Sequence, residues 1–238
     1  GNVPVSASSN YILDRVLFMS WQAVLFDLDG TLLDTLPDLA CSVNKVLAGL
    51  GHPVHPVDAY RFFVGDGVEV LFRRALPDGQ SASSEEIKAV AAAMEEDYSR
   101  RWMEHTRPYA GIGEMLDWLE QRQIPKAIIS NKPDPITQIM VKDLLAGWEF
   151  EAVRGAIPGT PKKPDPAAAL KIARQLEVPP RRVLFIGDSN IDMQTAGAAG
   201  MYPVGVSWGF RPVEELRESG AREILVSPMD IVKLFATG

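Results

Sequence analysis

The sequence predicts an α/β protein built on a parallel sheet, with a helical insertion after the first strand. Two observations indicate this class. Short apolar runs alternate with amphipathic helical patterns over most of the chain, and the runs are apolar throughout, as in strands that are buried on both faces. The alternation stops between Asp34 and Pro108, where only helical patterns occur.

The apolar runs predict five strands, at Ala23–Phe26, Lys126–Ile129, Val183–Ile186, Val204–Val206 and Ile224–Val226. Helices with one apolar stripe lie between them. The predicted stripes are Met115, Leu116 and Leu119, then Ile136, Ile139 and Met140, then Leu170, Ala173 and Leu176. This order of strands and helices is typical of a doubly wound sheet.

The predicted insertion comprises three helices. The first begins near Leu36, with Pro37 in its first turn. A shorter one runs from Val68 to Leu76, and a third follows the capping-box pattern Ser83-Ser-Glu-Glu86. We therefore divide the chain into a sheet core, residues 21–35 and 107–238, and a helical domain, residues 36–106. Residues 1–20 form an N-terminal extension in which Met19 is an alternative start.

Composition excludes several classes of protein. The chain has 238 residues, 46% of them hydrophobic and 23% charged, which is typical of a soluble globular protein. A formal net charge of -7 disfavours nucleic acid and anionic membranes as partners. A single cysteine, Cys41, excludes an intrachain disulfide and indicates a reducing, cytoplasmic location, while His52, His55 and His105 lack the spacing of a metal site. The residues preceding the first strand do not resemble a signal peptide. The sequence leaves the oligomeric state open.

Four polar clusters follow the predicted strands or precede a helix. They are Asp27-Leu-Asp29-Gly30-Thr31, Ser130-Asn131-Lys132, Lys163-Pro-Asp-Pro166 and Gly187-Asp188-Ser-Asn-Ile-Asp192. Because parallel strands end at one edge of the sheet, where ligands bind, we expect the four clusters to converge there.

The residue types in these clusters suit phosphoryl transfer. Carboxylates of Asp27, Asp188 and Asp192 are ligands that Mg²⁺ prefers, together with water and substrate phosphate. The Ser130 hydroxyl, the neighbouring backbone N–H groups and the Lys163 ammonium are donors for phosphate oxygens. Carboxylates with a cation on one side and fixed donors on the other form a plausible site for a phosphate ester.

Each cluster also has a purely structural interpretation. Asp29-Gly30 is a common turn pair, and Ser130-Asn131 could cap the helix that begins near Pro135. Lys163 could form a solvated pair with Lys162. Asp188 could cap the next helix while Asp192 stabilises its first turn. The combination of all four clusters favours the functional interpretation over these separate ones.

The four clusters, in this order and strand context, resemble the motifs of the haloacid dehalogenase superfamily, and the helical insertion resembles its C1 cap. The resemblance extends over about residues 22–235 and implies a Rossmann-like parallel sheet core. Within the superfamily, three segments resemble the phosphoglycolate phosphatase group: Arg61-Phe-Phe-Val-Gly65-Asp-Gly67, Leu71–Leu76 and Val206-Ser-Trp-Gly-Phe210.

The resemblance implies a role for each motif residue. Asp27 is the nucleophile that forms an aspartyl phosphate, and Asp29 is first protonated and acts as general acid and then general base. Mg²⁺ is held by Asp27, the Asp29 backbone carbonyl and Asp188. Asp192 supports either Lys163 or a metal-bound water. The last roles concern phosphate binding: Lys163 steadies Asp27 and the phosphate, which Gly30, Thr31, Ser130 and the Asn131 backbone also contact.

The implied function is Mg²⁺-dependent hydrolysis of a small phosphorylated metabolite, with phosphoglycolate as the first candidate. A sugar phosphomutase, a pyrophosphatase and a binding module without activity remain as alternatives. Asp29 argues against the dehalogenase branch, because halide leaves without a proton. Two equally weighted interpretations of Arg61 follow: it binds the carboxylate of an acidic substrate, or it is an exposed helix-end residue.

Overall fold

The computed structural model describes residues 21–236, so the predicted N-terminal extension lies outside the described residues. The described strands are β1 (Ala23–Phe26), β2 (Leu33–Asp34), β3 (Arg107–Pro108), β4 (Lys126–Pro133), β5 (Ala152–Ala156), β6 (Val183–Gly187), β7 (Tyr202–Val206) and β8 (Glu223–Leu225). The described helices are α1 (Leu36–Gly49), α2 (Val68–Ala75), α3 (Ser84–Arg101), α4 (Ile112–Gln121), α5 (Asp134–Leu144), α6 (Ala167–Gln175), α7 (Asn190–Ala199), α8 (Val213–Glu218) and α9 (Ile231–Ala236). Short 3-10 segments lie at Val57–Phe62, Pro180–Arg182 and Pro228–Asp230.

Six strands form a parallel sheet in the order β5-β4-β1-β6-β7-β8. β1 lies between β4 and β6, with Leu25 opposite Ala127 and Phe185. Val24 and Phe26 pack on one face of the sheet, and Leu25 packs on the other. Burial on both faces explains why β1 is apolar at every position, and it confirms the predicted α/β class.

The five predicted strands are present; β1 has the predicted bounds, and the other four have shifted ends. β4 continues through Ser130 and Asn131 to Pro133, although the prediction ended it at Ile129. Sequence analysis missed β5, an edge strand whose residues are only half-buried and include an arginine and a glycine. It placed Ile139 on a buried stripe, but that side chain is 46% exposed. Met140, on the same predicted stripe, is buried as expected, and α5 also buries Thr137 and Val141.

Residues 36–106, called the helical insertion below, contain α1, α2 and α3. The capping box at the start of α3 is confirmed: the Ser83 hydroxyl accepts from the Glu86 N–H, and the Glu86 carboxylate accepts from the Ser83 N–H. Strands β2 and β3 pair antiparallel where the insertion leaves and rejoins the sheet. The insertion shares one buried apolar cluster with the sheet, in which Leu47, Phe72 and Phe26 take part. Whether the insertion is a separate domain stays a prediction.

Among the described residues, no helix is both long and apolar enough to cross a lipid bilayer.

Candidate active site

The chain turns sharply where β1 ends. Asp27 is the first residue after β1, and Gly30 adopts a φ of 83°, a left-handed conformation that suits glycine. A Cβ atom on Gly30 would lie 2.2 Å from Asp188 Oδ2, so the close approach of the two loops also requires glycine. The Asp29-Gly30 turn is real, and it places Asp27 and Asp188 next to each other.

Lys163 joins two of the clusters. Its Nζ donates to Asp27 Oδ1 at 2.7 Å and to Asp192 Oδ1 at 2.7 Å. All three side chains are buried. Burial alone would lower the pKa of Lys163, but Asp192 and Asp27 outweigh it and raise that pKa, so the lysine stays charged. Neighbouring Lys162 donates instead to the Asp66 backbone carbonyl in the helical insertion, at 2.6 Å. Of the lysine pair, the structure places Lys163 among the carboxylates, as the sequence predicted.

Asp27, Asp188 and Asp192 offer a possible metal site. One carboxylate oxygen from each lies within 4.8 Å of the others. Burial and the neighbouring Asp192 raise the pKa of Asp27 to about 7, and burial and Asp27 raise that of Asp188 well above its ordinary value. These three buried carboxylates have one lysine, Lys163, among them, so the cluster as a whole has an excess of negative charge. A divalent cation would offset that excess, so the donor set fits a hard metal ion.

The oxygen atoms of these carboxylates are not equally free. Asp192 Oδ2 accepts from the Ser189 N–H and hydroxyl, and its Oδ1 accepts from Lys163, so both oxygens are engaged. Asp188 Oδ2 accepts from the Phe210 N–H at 2.7 Å, which leaves Oδ1 facing the Thr31 hydroxyl at 3.3 Å. The expected helix-cap interpretation therefore holds for Asp192, which is part of a capping box, whereas the N-cap of α7 is Ser189 and not Asp188.

Asp29 lies on the other side of the turn, beside the end of β4. Its Oδ1 accepts from Lys132 Nζ at 2.8 Å, and its Oδ2 lies 3.4 Å from the Ser130 hydroxyl. Burial alone would lower the pKa of Lys132, but Asp29 outweighs it and raises that pKa. Lys132 Nζ also lies 4.7 Å from the ring centre of Tyr98, which belongs to α3 of the helical insertion. Lys132 thus connects a core carboxylate with the insertion.

The side chain of Asn131, in β4, contacts two loops, one at Lys163 and one at Gly65 of the insertion. Its Nδ2 donates to the Lys163 carbonyl at 2.9 Å and to the Gly65 carbonyl of the insertion at 3.1 Å, while its Oδ1 accepts from the Lys163 N–H. Neither Ser130 nor Asn131 caps α5, because both lie within β4 and the N-cap of α5 is Pro133. The capping interpretation of this pair is therefore wrong.

A cavity of about 300 Å³ lies between these loops and the helical insertion. Its polar floor includes Asp27, Asp29, Ser130, Asn131, Lys132, Lys163 and Asp188. Its apolar wall includes Leu39, Val64, Val68, Leu71, Met94, Tyr98, Ile136 and Phe210. Gly30, Thr31 and Asp192 do not line the cavity; they pack behind the carboxylates that do.

Arg61 lies outside the lining of the cavity. Its guanidinium donates to the Gly209 carbonyl at 3.0 Å and to Asp58 at 3.2 Å, and its side chain is 39% exposed. These contacts agree with a surface residue at a helix end better than with a carboxylate-binding role. Arg211 lines the cavity instead.

Sequence reasoning assigned no role to Lys132 or Arg211. A signal existed for Lys132, since residues 130 and 132 of an extended strand share one face and the first of them was singled out. Arg211 directly follows the segment Val206–Phe210, which was noted for its resemblance, but nothing in that segment indicated that the next residue lines the cavity. His105 lies close to Asp38 and Glu104 in space, although its sequence spacing does not indicate a metal site. The Asp38 oxygens are engaged there by the backbone N–H groups of His105 and Thr106, the Thr106 hydroxyl and the His105 ring, so the contact is structural.

Comparison with known proteins gives consistent results. A family model described as haloacid dehalogenase-like hydrolase matches residues 24–206. The phosphoglycolate phosphatase of Pseudomonas putida is 38% identical over 196 residues, covering 80% of this chain and 72% of that protein. Phosphoglycolate phosphatase 1 of Pseudomonas aeruginosa is 34% identical over 198 residues, covering 81% of this chain and 72% of that protein. A crystal structure described as a predicted phosphoglycolate phosphatase from Haemophilus somnus superposes with a TM-score of 0.82 at 27% identity, covering 90% of this chain and 97% of that one.

Proposed function

The chain belongs to the haloacid dehalogenase-like hydrolase family and is a phosphatase, and from that premise we propose that Asp27 is its nucleophile and Mg²⁺ its cofactor. The observation that carries the proposal is the meeting of Asp27, Asp188 and Lys163 at the end of β1. An ionised carboxylate is held there next to both a fixed cation and a second carboxylate that can share a metal ion.

Asp27 attacks the phosphorus in line with the departing alkoxide and forms an aspartyl phosphate, which water then hydrolyses. Lys163 binds one carboxylate oxygen of Asp27 and leaves the other for attack. Asp192 holds Lys163 from behind, because both of its own oxygens are engaged by Lys163 and Ser189. Of the two roles expected for Asp192, its contacts favour support of Lys163.

Asp27, Asp188 and the Asp29 backbone carbonyl would hold the metal ion. When bound, Mg²⁺ supplies positive charge that lets an anionic nucleophile approach an anionic phosphate.

Asp29 gives a proton to the leaving alkoxide and later takes one from the hydrolytic water. We assign that proton to Oδ2, because Oδ1 is engaged by Lys132 whereas Oδ2 has only the distant Ser130 hydroxyl. Ser130, the Asn131 backbone and Lys163 form the phosphate cradle. The helical insertion acts as a cap that covers the leaving group and excludes water.

The proposed substrate is a small phosphate monoester in the cytoplasm, with phosphoglycolate as the first candidate. The names of the curated relatives support this choice.

The test is release of inorganic phosphate from p-nitrophenyl phosphate and phosphoglycolate by the metal-stripped protein, with and without added Mg²⁺. We expect turnover only when Mg²⁺ is present. Absence of hydrolysis of every phosphate ester under both conditions would show that the proposed function is wrong.

A further inference from the structure

Three basic side chains line the cavity, and two of them are tightly paired. Lys163 contacts Asp27 and Asp192 at 2.7 Å, and Lys132 contacts Asp29 at 2.8 Å. The third, Arg211, has a looser set of partners. Its nearest carboxylate is Glu215, at 3.7 Å from NH1, and its NH2 lies 3.4 Å and 3.5 Å from the Phe62 and Val64 carbonyls. Arg211 is therefore less tightly paired with carboxylates than either lysine, and most of its five N–H donors have no close partner among these contacts.

Arg211 is also close to the reaction site and shielded from water. Its side chain is only 13% exposed. The preceding residue, Phe210, donates its N–H to Asp188 at 2.7 Å, which fixes the start of this loop against a proposed metal ligand. The guanidinium lies 5.4 Å from the ring centre of Phe62 in the helical insertion. Arg211 thus lines the cavity at the point where the core meets the insertion.

The charges in the cavity show why a substrate with a second anionic group needs Arg211 as a counter-charge. Among the described residues at the end of β1, the four carboxylates of Asp27, Asp29, Asp188 and, behind them, Asp192 lie with only two lysines, Lys132 and Lys163, so this cluster has two more negative than positive charges. Glu95 adds another carboxylate to the cavity lining. One divalent cation would offset that excess, and a phosphate dianion would restore it. A second anion has no counter-charge on the floor, and in a closed, low-dielectric cavity an unpaired charge is strongly unfavourable.

We propose that Arg211 binds a second anionic group on the substrate, and that this contact selects small phosphate esters with a carboxylate or a second phosphate at the non-reacting end. An arginine can give such a group two parallel hydrogen bonds. The inference rests on the proposed phosphatase activity and replaces Arg61 with Arg211 as the specificity-determining residue. The loose contacts to the Phe62 and Val64 carbonyls would give way when the anion binds.

The test compares two substrates of similar size in the Mg²⁺-loaded protein. They are phosphoglycolate and glycolamide phosphate, in which a neutral amide replaces the carboxylate. The readout is the ratio of their kcat/KM values, in which any general loss of activity cancels. We expect Arg211→Gln to lower this ratio at least tenfold, equivalent to about 1.4 kcal/mol of transition-state binding, with partial recovery in Arg211→Lys. Ethylene glycol bisphosphate, compared with ethyl phosphate, tests the second phosphate as the anion in the same way.

Arg61→Ala is the matched control, because Arg61 also bridges the core and the insertion but lies outside the cavity. Its ratio should stay within twofold of the wild type. An Arg211 variant that lowers kcat/KM equally for esters with and without the second anionic group would show that Arg211 only holds the insertion in place, and would overturn the inference. A wild type that hydrolyses glycolamide phosphate as well as phosphoglycolate would also overturn it, while the phosphatase activity would stand. Failure of the wild type on all of these esters and on p-nitrophenyl phosphate would instead contradict the proposed function.

Discussion

At the scale of single residues, Asp27, the proposed nucleophile, is held where burial and neighbouring carboxylates disfavour its charged form. The carboxylate is buried next to two other carboxylates, and its pKa is raised to about 7 by burial and by Asp192. Lys163 opposes that shift but does not cancel it. Such strain is typical of functional sites, where reactivity is favoured over stability.

Replacement of this nucleophile should separate activity from stability. We predict that Asp27→Asn abolishes turnover, because an amide is neither a nucleophile nor an anionic metal ligand. In the absence of metal, its melting temperature at pH 8 should equal or exceed that of the wild type, since one buried charge is removed from the carboxylate cluster. Steady-state assays and thermal unfolding measure the two effects. Activity within tenfold of the wild type would contradict the assignment.

The general acid and base should be less critical than the nucleophile. We predict that Asp29→Asn slows turnover by about 10²- to 10⁴-fold, the range for loss of proton transfer alone. The loss should be smaller for p-nitrophenyl phosphate, whose leaving group departs without a proton, than for an alkyl phosphate. An equal loss on both esters would argue against the acid role.

At the scale of elements, Gly187 at the end of β6 shows why some positions must be glycine. A Cβ atom there would lie 2.3 Å from the Cβ of Asp192. We predict that Gly187→Ala displaces Asp192, lowers kcat and destabilises the fold by about 1–3 kcal/mol, the usual cost of overpacking. Gly197 in α7 is the matched control, because a Cβ there meets nothing within 4 Å. Gly197→Ala should leave kcat unchanged and stabilise the fold by about 0.5–1 kcal/mol. Chemical denaturation and kinetics of the two variants measure the difference.

The base of the helical insertion depends on Asp38, in the first turn of α1. Its buried carboxylate accepts from the backbone N–H groups of His105 and Thr106 and from the Thr106 hydroxyl, and so ties together both ends of the insertion. Burial alone would raise the pKa of Asp38, but these hydrogen bonds, together with one to the His105 ring, outweigh it and hold that pKa below its ordinary value of 3.8.

This shift gives a pH dependence with a definite sign. A lowered pKa in the folded state means that Asp38 stabilises the protein above its ordinary pKa, and that this contribution disappears as pH falls through the lower, folded-state value. We predict that Asp38→Asn costs about 2 kcal/mol at neutral pH and that the gap between variant and wild type narrows below about pH 4. Urea denaturation of both proteins across pH 3–7 measures the difference in their free energies of unfolding. A stability difference between Asp38→Asn and the wild type that widens towards low pH would contradict this role of Asp38.

The elements near the site show what the sequence could and could not predict. Asp27 and Asp188 were predictable, because each follows an apolar strand and the ends of parallel strands share one edge. Lys163 was predictable from the Lys-Pro-Asp-Pro pattern that precedes α6. Arg211 was not, because its place at the cavity depends on how the loop after β7 folds towards the insertion, and no local pattern encodes that contact. The sequence analysis did not predict β5 because it is an edge strand. Its residues are only half-buried and therefore less apolar than those of the central strands.

At the scale of the whole molecule, the helical insertion and the sheet meet over the reaction site. Asn131, Lys162 and Arg211 of the core donate to carbonyls of Gly65, Asp66 and Phe62. The contacts fall on one loop of the insertion, between Phe62 and Gly67. If Asn131 belongs to the phosphate cradle as proposed, its contact with Gly65 links that cradle to the helical insertion.

Removal of the metal tests whether the phosphatase activity depends on Mg²⁺. We predict that chelation with EDTA abolishes phosphatase activity, that added Mg²⁺ restores it, and that Ca²⁺ inhibits because its larger, looser coordination shell misplaces Asp27. Asp188→Asn should require a higher Mg²⁺ concentration for half-maximal rate. Full activity of the chelated protein would rule out the metal site.

The central claim is that phosphate is transferred first to Asp27. Rapid mixing of enzyme, Mg²⁺ and excess phosphoglycolate, followed by acid quenching and reduction with sodium borohydride, converts an aspartyl phosphate to homoserine, which mass spectrometry locates in the peptide sequence. The account predicts homoserine at position 27 in the wild type and none in Asp27→Asn. Homoserine at another aspartate, or turnover without any homoserine at position 27, would contradict it.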